Sequence, residues 1–91
     1  MEEKNNMKKY LVRKTYTALG NAKRYQEGHT EVWFVGKNTS DYELCDYIIE
    51  KGWSRKHFAE KYIESDKDFH QRMKEEFWKI DYEIVEVEVN G

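Results

Sequence analysis

Proline is missing from these 91 residues altogether, and cysteine occurs once, at Cys45. A single thiol excludes an internal disulfide and fits a reducing compartment. No glycine or proline interrupts residues 53–90, so nothing in the backbone chemistry there forbids one long helix. The five glycines, Gly20, Gly28, Gly36, Gly52 and Gly91, are scattered as turn residues and make no phosphate-cradling loop. Long apolar runs are missing as well. No stretch approaches the roughly 20 residues of a transmembrane helix, and the polar N-terminus lacks the apolar region of a signal peptide. Neither sign of charge dominates: 16 lysines and arginines stand against 18 aspartates and glutamates, for a formal net charge of -2. No global field therefore draws the chain to nucleic acid or to an anionic membrane. The expectation is a soluble cytoplasmic protein with no membrane partner.

What the chain does have is charge density, at 37% charged residues, and rings: three tryptophans, seven tyrosines and four phenylalanines. Residues 1–7 are polar and aperiodic and read as a flexible lead-in to one globular domain over 8–91. Over 8–19, Tyr10, Val12, Tyr16 and Ala18 alternate with Lys9, Leu11, Arg13, Thr15 and Thr17, the pattern of a strand. Residues 20–29 read as a loop with glycine at each end, and 30–37 as a second strand, apolar on both faces. In the last strand, 82–89, Val85, Val87 and Val89 point one way while Glu86 and Glu88 point the other. The acidic outer face of that strand suits the basic face of the first, through Lys9 and Arg13. The predicted sheet order is therefore 2-1-3.

Residues 40–79 between the strands read as helix. Ser40 and Glu43 have the spacing of a capping box, so a helix is expected over 41–51, stopping at Gly52, with Leu44, Cys45, Ile48 and Ile49 inward. Trp53, Ser54 and Phe58 have the spacing of a hydrophobic staple around a serine cap, which starts a second helix at Arg55 with Phe58, Ala59, Tyr62 and Ile63 inward. Asp66 falls where that stripe needs an apolar residue, so the helix is broken there and a third runs over 67–78; one long bent helix over 55–78 is the alternative. The fold class is α+β, a small two-layer sandwich in the order β-β-α-α-α-β, with a three-stranded sheet and the helices on one face.

Chemistry is harder to find. His29, His57 and His70 include no helical metal pair with a third ligand, Cys45 lies on an apolar stripe, and no carboxylate pair shares a face with a histidine. No enzyme activity, cofactor or metal is expected. Arg55, Lys56 and His57 fill the first turn of the second helix, where cations oppose the helix dipole; they suit a docked anion, or a solvated turn relieved by salt and nearby acids. Lys23, Arg24 and Tyr25 place cations beside a ring in the first loop. One reading is a nucleic-acid binder with a helix-turn-helix-like segment over 54–79, showing Lys67, His70, Gln71 and Lys74 outward. The favoured one is a protein-protein interaction module acting through Lys23, Arg24, Tyr25, Trp33, Arg55 and Lys56. The edge strand at 31–35 is open to pairing with another chain, including a second copy. Small size, many rings and dense charge suit a regulator, an inhibitor or a phage- or mobile-element-encoded accessory protein.

Overall fold

Tyr, Val and Thr recur through residues 8–18, and these side chains favour the extended backbone. The computed structural model describes residues 6–21, 24–74 and 77–90. Its elements are β1 (Asn6–Ala18), β2 (Thr30–Val35), α1 (Asp46–Glu50), α2 (Lys56–Arg72) and β3 (Trp78–Asn90). The three strands form one antiparallel sheet in the expected order β2-β1-β3. Opposite charges face each other across β1 and β3, but not in the pairs expected: Lys9 stands opposite Val87, while Arg13 Nη2 lies 3.0 Å from Glu83 Oε1 and Lys8 Nζ lies 3.4 Å from Glu86 Oε2.

Register settles which side chains become core. Val12 lies opposite Val35 on one side and Ile84 on the other. Val12, Val35 and Ala59 of α2 are fully buried, with Tyr10, Trp53, Tyr62, Ile63, Tyr82 and Ile84 packed around them. On β3 the helix-side residues are thus Tyr82 and Ile84, whereas the valine row at 85, 87 and 89 points to the other face, contrary to the sequence expectation. Leu11, which by strand alternation also points to that other face, is fully buried, as is Ile48 of α1. Lys9, of the same parity as Leu11, donates from Nζ to the Glu50 carbonyl at the end of α1, 2.9 Å away.

The helical region holds two helices rather than three. The capping box at Ser40 and Glu43 does not form, because the backbone there has another partner. Tyr42 bridges to Phe34 of β2, its amide donating to the Phe34 carbonyl at 2.9 Å and its carbonyl accepting from the Phe34 amide at 2.7 Å. Residue 42 is thereby held extended, and α1 is a short helix whose N-cap is Cys45, half-buried rather than mid-stripe. Leu44 is exposed. The serine cap of α2 is likewise replaced: Trp53 pairs with Tyr10 as a strand bridge, and the extended Arg55 is the N-cap. Trp53 stacks near Tyr62, ring centroids 5.7 Å apart, and not on Phe58, which is exposed. No break occurs at Asp66. The helix runs through it to Arg72, and Lys74, at φ 52, turns the chain so that Trp78 begins β3 instead of ending a helix.

Two glycines serve a close approach of backbones. A Cβ on Gly36 would lie 2.5 Å from the Lys51 carbonyl oxygen, and one on Gly52 would lie 2.8 Å from Lys9 Cβ. Gly52 therefore serves crossing chains, not a left-handed helix end. Among the described residues no helix is long and apolar enough to cross a membrane. Gly36→Ala should cost about 1–3 kcal/mol through forced displacement of the Lys51 carbonyl. Gly20→Ala, whose new methyl meets only the Glu27 side chain at 3.6 Å, should leave the thermal midpoint nearly unchanged in the same melting series.

Candidate functional site

Lys14 sits in the middle of β1 on the helix-covered face, where the pattern calls for an apolar residue, and it is only 3% exposed. A buried ammonium is tolerated only when it is paired and hydrogen-bonded. Its Nζ lies 3.0 Å from Asp66 Oδ2 and 3.3 Å from Asp41 Oδ1, and it donates to the Tyr62 hydroxyl at 3.2 Å. Around it the hydroxyls are also committed. Tyr16 donates to Asp41 Oδ2, Tyr82 to Asp66 Oδ2 at 2.7 Å and Tyr62 to Asp66 Oδ1 at 3.3 Å. His70 Nε2 lies 3.4 Å from Asp66 Oδ2. The rings of Tyr16, Tyr62 and Tyr82 also lie 5.3–6.0 Å from Nζ, within reach of cation–π attraction. Among the described residues no buried side-chain nitrogen or oxygen lacks a partner.

The electrostatics fix the protons. Burial favours neutral Lys14, but the hydrogen bonds to Tyr16, Asp66 and Tyr62 outweigh it and hold the lysine above its ordinary value. Burial, reinforced by the bond to Asp41, pushes Tyr16 up to about 12. Burial raises Tyr62, and burial with the bond to Asp66 raises Tyr82. For Asp66 burial works upward, but the Tyr82 hydroxyl and Lys14 prevail and hold the carboxyl below its ordinary value. All of these shifts point away from neutrality, so the five groups keep one charge state through the neutral range.

Beyond the cluster, α2 ends before the sheet does. Two hollows open there and share Trp78. One, of about 370 Å³, is lined by Lys67, His70, Gln71, Trp78, Ile80 and Tyr82. The other, of about 210 Å³, is lined by Tyr16, Glu31, Trp33, Asp41 and Trp78. Trp78 meets Tyr16 edge to face, centroids 6.1 Å apart, and Tyr25 at 5.2 Å; Tyr25 in turn stacks on His29 at 4.6 Å.

Of the residues picked out from sequence, Tyr25 and Trp33 come together here through Trp78. Arg24 is exposed in the same loop, and Lys23 lies outside the described residues. Arg55 and Lys56 are exposed at the opposite end of α2, about 25 Å away along the helix. No acidic residue stands in that first turn. Residues 56–72 form one helix, so the segment 54–79 has no helix-turn-helix geometry. The edge at 31–35 is partly closed, because Tyr42 takes both backbone groups of Phe34. Lys14, Asp41, Asp66 and Trp78 are what sequence reasoning missed. The available signal was a lysine on an apolar strand face and an aspartate on an apolar helix stripe, two misfits of opposite charge. Comparison with known protein families, curated proteins and solved structures finds no match to this chain.

Lys14→Met should lose about 3–5 kcal/mol in urea denaturation, since it strands buried carboxylate charge. Lys14→Met with Asp66→Leu should recover part of that loss. The pH profile should be flat through neutrality with two falling limbs. Lys14 and the three tyrosines hold their protons more tightly when folded, so their contribution is complete below their unfolded values of 10.5 and 10.0 and is lost as pH rises through their higher folded values, for Tyr16 about 12. Asp66, held low, contributes above its unfolded value of 3.8 and loses that contribution as pH falls through its folded value. Thermal melts across the pH range check both limbs.

Proposed function

We propose that the chain is a small non-enzymatic binding module that engages a protein partner through the Trp78 end of the molecule. The observation that carries this reading is a set of four large apolar side chains that stand in water on the segments leading to Trp78 or packed on it. Phe69 and Met73, one helical turn apart, are 53% and 64% exposed, and Phe77 is 50% exposed just before β3. Tyr25, packed on Trp78, adds a fourth at 38%. Large apolar side chains left in water on a small domain suit an interaction site, and aromatic side chains carry much of the energy of protein interfaces. The protonation pattern supports the same reading. A network that keeps its charges through the neutral range suits a rigid platform better than proton transfer, which needs a group poised near the working pH.

The test compares complexes recovered without cross-linking from native cell extract, over a series of salt concentrations, with wild-type protein, Phe69→Ser/Met73→Ser and Arg55→Glu/Lys56→Glu. A partner held by the wild type and by Arg55→Glu/Lys56→Glu at raised salt, but lost from the Phe69/Met73 variant, is the expected outcome. A complex that dissolves steeply with salt, together with a shift of the purified protein on mixed nucleic acid in size-exclusion chromatography, would overturn the reading in favour of a nucleic-acid partner.

A further inference from the structure

We infer that the smaller hollow is a cage for an organic cation of the alkylated ammonium class. Its walls are rings: Tyr16 and Trp78 stand at 90° to each other and Trp33 lines the same space. Aromatic faces attract a cation by their negative quadrupole, and rings set at an angle surround a tetrahedral alkylammonium better than parallel ones. The remaining lining groups are carboxylates, Glu31 and Asp41. Charge bookkeeping favours a cation as well. Of the two lining carboxylates, Asp41 is paired with Lys14, while Glu31 is met by the His29 ring and by no lysine or arginine among the described residues. Lys67 lines only the neighbouring hollow, where its Nζ sits 5.6 Å from the Tyr82 ring.

The cage is already set. The Tyr16 hydroxyl is held by Asp41, and Trp33 donates from Nε1 to Glu31 Oε1 at 3.4 Å. Glu31 is steadied on its other oxygen by His29 Nε2 at 3.2 Å. Trp78 is braced by Tyr25 behind it. A ligand entering would therefore order few side chains, which is where small ligands lose most affinity. The space of about 210 Å³ is below the roughly 300 Å³ at which drug-sized pockets begin, so it takes a headgroup or a side-chain tip and no more. Two sources share this chemistry, a free quaternary amine and a methylated lysine on a polypeptide.

This inference goes beyond the protein-partner reading, which rests on Phe69, Met73 and Phe77. Loss of one would leave the other standing. The test titrates the full chain with choline, with its uncharged carbon isostere 3,3-dimethylbutanol, and with a short peptide carrying trimethyllysine, following the indole N–H signals of Trp33, Trp78 and Trp53 by NMR. Choline and the peptide should move Trp33 and Trp78 while Trp53, on the Tyr10 side of the sheet, stays in place. The isostere should bind on the order of tenfold more weakly, and Glu31→Gln should weaken choline about fivefold. A peptide much tighter than choline assigns the source to a protein side chain, and equal affinities assign it to a free amine. Equal binding of choline and the isostere, no shift with either cation, or an unchanged affinity in Glu31→Gln would each overturn the cage. Trp33→Phe, which keeps a ring in the wall, should bind better than Trp33→Ala, and Glu31→Gln decides the matter should the alanine variant not fold.

Discussion

A single ammonium group at the centre of the sheet imposes most of the arrangement around it. Lys14 is the one charged residue buried on the inner face of β1, and the groups around it come from three other places in the chain and from its own strand: Asp41 from the segment before α1, Tyr62 and Asp66 from α2, Tyr82 from β3, and Tyr16 from β1 itself. Each of those elements must arrive in one position for the charge to be matched. A slip of α2 by one residue would swing Asp66 by about 100° away from the sheet and leave both charges unmatched. An apolar contact would tolerate such a slip; a buried ion pair does not, because each unmatched charge costs several kcal/mol.

The same residues explain which parts of the fold were legible. Strand alternation and the facing charges of β1 and β3 carried the sheet order, since those signals are local and survive whatever the rest of the chain does. The helices were misread where tertiary partners outbid local preferences. Ser40 and Glu43 have the spacing of a cap, but Tyr42 finds a better partner in the backbone of Phe34. Trp53 has the spacing of a staple, but its backbone joins Tyr10 and its ring goes to Tyr62. Asp66 looked like a helix breaker because an acid on an apolar stripe has no local rationale. Its reason lies on another strand, and Lys14 and Asp66 only make sense as a pair.

The site shows the same division. Trp33 and Tyr25 could be picked out from residue type, because one sits on a strand apolar on both faces and the other beside cations in a loop. Trp78, the residue that joins both hollows, was assigned to a helix end, and its role follows only from its true place at the start of β3. A separate third helix over 67–78 would have been free to turn Phe69 toward the sheet. Continuous with Asp66, α2 instead turns Ala59, Tyr62 and Asp66 to the sheet and leaves Phe69 in water. Arg55 and Lys56 were legible as a cluster, yet they stand at the far end of the helix from every ring-lined hollow.

The pairing of β1 with β3 also governs how the chain folds. Ala18 joins Trp78 and Asn6 joins Asn90, so β1 completes its pairing only with a strand that lies beyond both helices in the chain. Without β3, β1 can pair with β2 alone, and Lys14 and Asp66 lack Tyr82 beside them. Such long-range pairing is slow, since loop-closure entropy is met before the contacts form. The central strand therefore keeps one edge open until β3 docks on it, and an open strand edge is where a partly folded chain associates with its neighbours.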